Sequence, residues 1–201
     1  MVRALINFPP RKLKLFDVSP NKDVGTVSGN TGFEKAIIGS ETLRGFENVE
    51  HVVVVADNDD SPVNSFNQVN EQLKKAKSER NIKRDWAIPI QPGVKTTGDP
   101  SVTIWMWPSA GEPGCLETLL WKIIKAKYQS TSLCVESALQ CSGAHSWPIS
   151  KLDKARVRCF ISIYCKKNPA LSLGYAWRDV PDLFALDNEE FDEFSQILSD
   201  G

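Results

Sequence analysis

The chain has 201 residues, with 24 lysines and arginines against 25 aspartates and glutamates, so its formal net charge is −1. Hydrophobic residues make up 41% and charged residues 24%, which excludes a disordered or fibrous chain and suits a globular domain. The longest unbroken apolar run is Val52–Ala56, too short for a bilayer, and Met1–Pro10 lacks the apolar stretch of a secretory signal, so a cytoplasmic protein without membrane contact is expected.

Cys115, Cys134, Cys141, Cys159 and Cys165 lie at least six residues apart, with only two histidines in the chain. No pair has zinc-knuckle or redox-dithiol spacing, and buried free thiols are expected. The near-neutral total conceals segregation. Ser150 to Arg178 holds seven basic residues and one acid, Asp153, whereas Asp179 to Gly201 holds eight acids and no base. A second basic patch comprises Lys74, Lys75, Lys77, Arg80, Lys83 and Arg84. Solvated helix surfaces explain such patterns first, and a polyanion-binding face second.

In chain order, Lys12–Val18 alternates basic and apolar residues and predicts a strand near a sheet edge, with a loop over Pro20–Gly32. Apolar positions 33, 36, 37, 43 and 46 predict a helix over Phe33–Phe46, interrupted at Gly39. His51–Ala56 carries four consecutive valines, the pattern of a strand buried on both faces of a parallel sheet. Ser61-Pro62 predicts a helix start with Ser61 as N-cap, and Val63, Phe66, Val69, Leu73 and Ala76 continue at helical spacing. Ala87–Pro89 reads as a short strand and Val102–Trp107 as a longer one.

After the Pro108–Gly114 loop, Leu116, Leu119, Leu120, Ile123 and Ile124 mark an amphipathic helix. A further helix is expected from Pro148 to Tyr164, with Ser150 as N-cap and Leu152, Ala155, Cys159, Phe160 and Ile163 facing inward. The last helix opens at Asp187 with Glu190 in a capping-box position and buries Phe191, Phe194 and Leu198. Alternating strands and helices imply one layered α/β domain over residues 1–201, with a core at about 12–128 and a mostly helical extension at about 129–201.

The chemistry concentrates at Asp57-Asn58-Asp59-Asp60, directly after the valine strand. If strand geometry persists, Asp57 and Asp59 project to the same side, where two unpaired carboxylates repel. A hard divalent cation relieves that repulsion, and open α/β sheets hold ligands at the carboxyl ends of their strands. Asp60 fits the simpler role of stabilising the next helix N-terminus. Glu117 comes after the second strong strand, so in a parallel sheet its loop reaches the same rim. Its place in a first helical turn suits helix stabilisation and metal ligation equally.

The valine strand ending in Asp57-Asn58-Asp59 before an amphipathic helix resembles the Asp-x-Asp motif of Toprim domains, found in topoisomerases, primases and OLD-type nucleases. Ile104-Trp105-Met106-Trp107-Pro108, Gly114-Cys115-Leu116-Glu117 and Leu186-Asp187-Asn188-Glu189-Glu190-Phe191 resemble segments of a group of small bacterial Toprim-like proteins. The resemblance runs from about Lys12 to the chain end. It implies a Toprim-like layered domain with a mostly parallel central sheet flanked by helices. It further implies Mg²⁺ (or Mn²⁺) held by Asp57 and Asp59, joined by Glu117 as in the OLD-type branch, for nuclease or other phosphoryl-transfer chemistry on nucleic acid.

On that reading Lys151, Lys154 and Arg158, at i, i+3 and i+7 on one helix face, supply phosphate contacts. With no Gly-x-x-x-x-Gly-Lys-Ser/Thr loop in the chain, an ATPase is expected only as a separate partner. The family's first-strand glutamate has no counterpart among Glu34, Glu41, Glu47 and Glu50. This leaves two expectations: a chain that starts late, with Val2–Asn7 as the end of a first helix, or a degenerate Toprim scaffold that binds nucleic acid or protein without turnover.

Overall fold

A computed structural model of the chain describes residues 32–42, 44–78, 84–180, 182–184 and 189–199. The expected strand at Lys12–Val18, the helix end at Val2–Asn7, the helix start at Asp187, and Arg80 and Lys83 lie outside the described residues. The protein is α/β: among those residues it has seven α-helices and a two-stranded parallel sheet. None of these helices is long and apolar enough to cross a membrane.

By its contacts the chain divides into two compact units, one of residues 32–113 with 193–199 and one of 114–192. In the first, α1 (Phe33–Glu41) precedes β1 (His51–Asp57), α2 (Pro62–Ser78) and β2 (Ser101–Trp107). The strands pair in parallel from His51 opposite Ser101 to Asp57 opposite Trp107. Parallel pairing needs a crossover, and α2 with the segment after it supplies one. Helix α2 begins at Pro62, whose missing N–H is no loss in a first turn, and the Ser61 carbonyl accepts the Ser65 N–H at 2.9 Å. Phe66, Val69, Leu73 and Ala76 recur every three or four residues and are all buried. With Val54, Ala56, Trp86, Val102, Ile104 and Met106 they form the core, each large side chain worth about 1.5–3 kcal/mol in burial.

Several expectations are corrected here. Helix α1 runs through Gly39 and stops after Glu41; a short 3₁₀ turn, Phe46–Asn48, comes after Gly45, whose φ of 94° suits a residue without Cβ. Ala87–Pro89 forms no strand: Pro89 has no N–H for a ladder, and its carbonyl accepts the Asn70 side-chain amide at 2.5 Å. The strand buried along its whole length is β2; in β1 only Val54 and Ala56 are buried, while Val52, Val53 and Val55 are half-covered. The basic patch on α2 is partly neutralised, Lys74 by Glu71 and Lys77 by Asp85, and Arg84 pairs with Asp99 while also binding the carbonyls of Phe46 and Val49.

In the second unit, α3 (Leu116–Lys127), α4 (Gln129–Cys141), α5 (Ile149–Tyr164) and α6 (Leu173–Asp179) form a helical group. Tyr128 both ends α3, donating its N–H to Ile124, and starts α4, accepting from Ser132. Its ring meets Phe160 and Tyr164 of α5 at centroid distances of 5.0 and 5.1 Å. Helix α5 starts one residue after Pro148, whose carbonyl accepts the Leu152 N–H, so Pro148 rather than Ser150 holds the cap position and Ser150 is buried in the first turn. Ile163 is 50% exposed instead of facing inward, because Val157, Phe160 and Ile161 take the buried face. The described residues close with a 3₁₀ turn, Glu189–Phe191, and α7 (Asp192–Ser199), whose Phe194 lies 5.5 Å from Trp105 and 4.9 Å from Trp107 within the strand unit.

All five cysteines are free, but only Cys115 and Cys165 are buried; Cys134 and Cys141 are exposed on α4 and Cys159 is intermediate. Helix α4 buries little besides Val135 and Leu139, four residues apart, which leaves both thiols on its open side.

Candidate functional site

The acidic cluster sits at the carboxyl end of β1, level with the end of β2. A run of valines favours extended structure up to Ala56, and the ladder continues one step beyond Asp57, where the Asn58 N–H donates to the Trp107 carbonyl at 2.9 Å. Asn58 then turns inward and is fully buried. Its side-chain amide donates to the carbonyls of Ser109, at 2.5 Å, and Glu112, at 2.8 Å. The Asn58 carbonyl accepts the Ser65 hydroxyl at 2.7 Å and the Ser61 N–H at 3.2 Å. One residue thus ties the end of β1 to the first turn of α2 and to the loop after β2. Within that loop Ser109 and Glu112 bridge each other, and the Trp107–Pro108 peptide is cis.

Asp57 is half-buried as the last residue of β1. Asp59 has φ 47°, in the left-handed region that aspartate tolerates better than most side chains. The strand therefore ends before Asp59, and the condition under which Asp57 and Asp59 share a side is not met. Asp59 is half-buried and Asp60 exposed, in the turn leading to α2. A buried polar atom also marks this place: Asn58 Oδ1 accepts no hydrogen bond from the described residues. Asp57, Asn58 and Asp59 offer carboxylate and amide oxygens, donors of the type that a hard divalent cation takes. In donor type, though not by sharing a side, these residues suit the group that the resemblance implies.

A separate groove of about 400 Å³ in the same unit is lined by Gly93, Trp105, Met106, Glu193 and Gln196 among others. Neither Asp57 nor Asp59 lines it.

Glu117 belongs to the helical unit as the second residue of α3. It is half-buried, and its carboxylate lies within 4.8 Å of Cys115 Sγ. Cys115 is the N-cap: its Sγ accepts the Thr118 N–H, and its own N–H donates to Thr118 Oγ1 at 3.0 Å. A cysteine thus takes the place that serine or threonine usually holds in a capping box. Gly114, at φ 130°, makes this possible, since a Cβ there would stand 2.3 Å from Thr118 Oγ1.

Lys151, Lys154 and Arg158 all lie on α5, the first and last exposed and Lys154 half-covered. The α5 residue of opposite charge is inside. Asp153 is 2% exposed and pairs with Arg156, which also binds Glu136 of α4; Glu136 in turn accepts the Trp121 indole N–H. Burial works to lower the Arg156 pKa, but the hydrogen bonds to Asp153 and Glu136 outweigh it and hold the guanidinium above its ordinary value.

Asn58 and Cys115 are the site residues that sequence reasoning passed over. Asn58 carries no pattern of its own between two aspartates. Cys115 was legible from Gly-Cys-Leu-Glu-Thr ahead of an apolar run, with a hydroxyl residue at the third helical position.

An α/β protein with acids at the carboxyl end of a parallel strand is the class that fold and site define. The chain belongs to the family described as protein of unknown function (DUF3226), which matches residues 10–200. No curated protein and no solved structure matches it.

Proposed function

We propose that the protein is a Toprim-like, Mg²⁺- (or Mn²⁺-)dependent nuclease or phosphoryl-transfer protein acting on nucleic acid. The observation that carries the reading is Asp57 and Asp59 flanking the buried, unsatisfied oxygen of Asn58 at the end of a parallel strand. Asp57 and Asp59 hold the metal in this reading, and Glu117 is the further carboxylate that the Toprim resemblance adds. A metal so held supplies charge neutralisation and orientation for a phosphodiester. Lys151, Lys154 and Arg158 supply phosphate contacts.

The test is calorimetric titration of Mg²⁺ and Mn²⁺ into the protein and into Asp57→Ala/Asp59→Ala. Binding that the double variant loses is the expected result, and Glu117→Gln reports separately on the third carboxylate. No heat at millimolar metal overturns the catalytic reading.

One observation favours a second reading, a scaffold that binds nucleic acid or protein without turnover. Of the glutamates before Asp57, Glu34 and Glu41 lie in α1, Glu47 in a 3₁₀ turn and Glu50 just before β1, so none stands on a described strand. Metal binding without cleavage of single- or double-stranded substrates is its signature.

A further inference from the structure

Of the six tryptophans, Trp86, Trp105, Trp107, Trp121 and Trp177 are 6% exposed or less. Trp147 is 51% exposed. It closes the 3₁₀ turn Ala144–Ser146 and stands two residues before α5. An exposed indole offers a broad flat apolar face on which a planar group can stack.

The helix after Trp147 gives that partner a charge. Lys151, Arg158 and Ser162 are exposed on α5 with half-covered Lys154 and Ala155 beside them, at helical spacing and with no carboxylate among them. Of the acids near α5, Asp153 and Glu136 are committed to Arg156 and Asp179 to Arg178, while Asp182 lies by Tyr164 at the far end of the helix. Lys151 and Arg158 form no ion pair among the described residues. Lys151 also sits in the first turn of a helix, where a cation opposes the dipole and an anion is favoured. Lys151 to Arg158 spans about 10 Å of helix, a stretch of backbone rather than a single phosphate.

We infer that Trp147 and the outer face of α5 form a binding surface for single-stranded nucleic acid, a base stacking on the indole and the backbone running along Lys151 and Arg158. The inference rests on the nucleic-acid reading proposed above and adds strand type and contact residues. A duplex keeps its bases stacked inside and offers the indole nothing but a terminal pair, whereas every unpaired base has a free face. The charge stripe is complementary to a polyanion of either kind, so the aromatic residue makes the distinction.

The experiment uses the whole chain in EDTA, which removes the metal site from the outcome. An unlabelled single-stranded DNA of about 12 nucleotides, within the usual site sizes, is titrated while tryptophan fluorescence is monitored. The expected result is quenching of the exposed Trp147 emission. Trp147→Ala weakens binding about tenfold by anisotropy of a labelled strand, and Trp147→Phe restores most of it while abolishing the quenching. Lys151→Ser/Arg158→Ser lowers the magnitude of the salt slope by about 1.4. Unchanged affinity in Trp147→Ala, or a duplex of the same sequence bound as tightly, overturns the inference. The metal titration is read without nucleic acid and this one without metal, so either can fail while the other holds.

Discussion

Asn58 is the residue on which the strand-end geometry depends. Its side chain satisfies two loop carbonyls, and its backbone serves both β2 and the start of α2. Asn58→Ala removes both side-chain bonds, taking one donor from each of the Ser109 and Glu112 carbonyls inside the fold, an expected loss of about 2–3 kcal/mol in urea unfolding. Asn58→Asp retains the shape but sets a carboxylate against those carbonyls and is expected to be at least as damaging. The thiols give a second prediction at this scale. Burial pushes the Cys165 pKa up, so its thiolate is scarce as well as shielded. Alkylation under native conditions, read by mass spectrometry, is expected to label Cys134 and Cys141 quickly and to reach Cys115 and Cys165 only on unfolding.

Among the elements, α5 is held by a polar network rather than by apolar packing alone. Arg156→Ala leaves Asp153 buried at 2% exposure without its guanidinium, at an expected cost of about 2–3 kcal/mol in thermal or urea unfolding. Exposed Lys151→Ala, near the start of the same helix, is expected to change stability by less than about 0.5 kcal/mol. Tyr164 gives α5 a pH response: its hydrogen bond with Tyr128, and to a smaller degree burial, raises its pKa. A group raised in the folded state contributes stability that is fully present below its unfolded value, roughly 10, and is lost as pH climbs through the folded value. Melting temperatures between about pH 9 and pH 11 are therefore expected to fall more steeply for the protein than for Tyr164→Phe. At the start of α3, Gly114→Ala forces a Cβ onto Thr118 at a φ of 130° and is expected to break the Cys115–Thr118 cap.

For the whole molecule the proposed metal offers a stability readout that needs no substrate. A cation that binds only the folded chain, at about 100 times its Kd, stabilises by about 2.7 kcal/mol. Melting with Mg²⁺ or Mn²⁺ is expected to show this shift, and Asp57→Ala/Asp59→Ala to lose it.

The order of the elements was readable from local pattern. Four consecutive valines before Asp57 mark β1, Val102–Trp107 marks β2, and Ser61-Pro62 ahead of residues spaced by three or four marks α2. These signals are local because backbone preference and helix termination act over a few residues. Asp57 at a strand end was readable for the same reason. Helix α4 was not, since Val135 and Leu139 are too few to set a period against exposed Leu133, Cys134 and Cys141. Nor was the choice between neighbours in Asp57-Asn58-Asp59, where the inward residue is the amide: carbonyls at Ser109 and Glu112, about fifty residues away, needed donors. Burial of five tryptophans and exposure of Trp147 depend equally on distant partners. Local chemistry sets what each segment becomes, and long-range packing selects which side chains leave water.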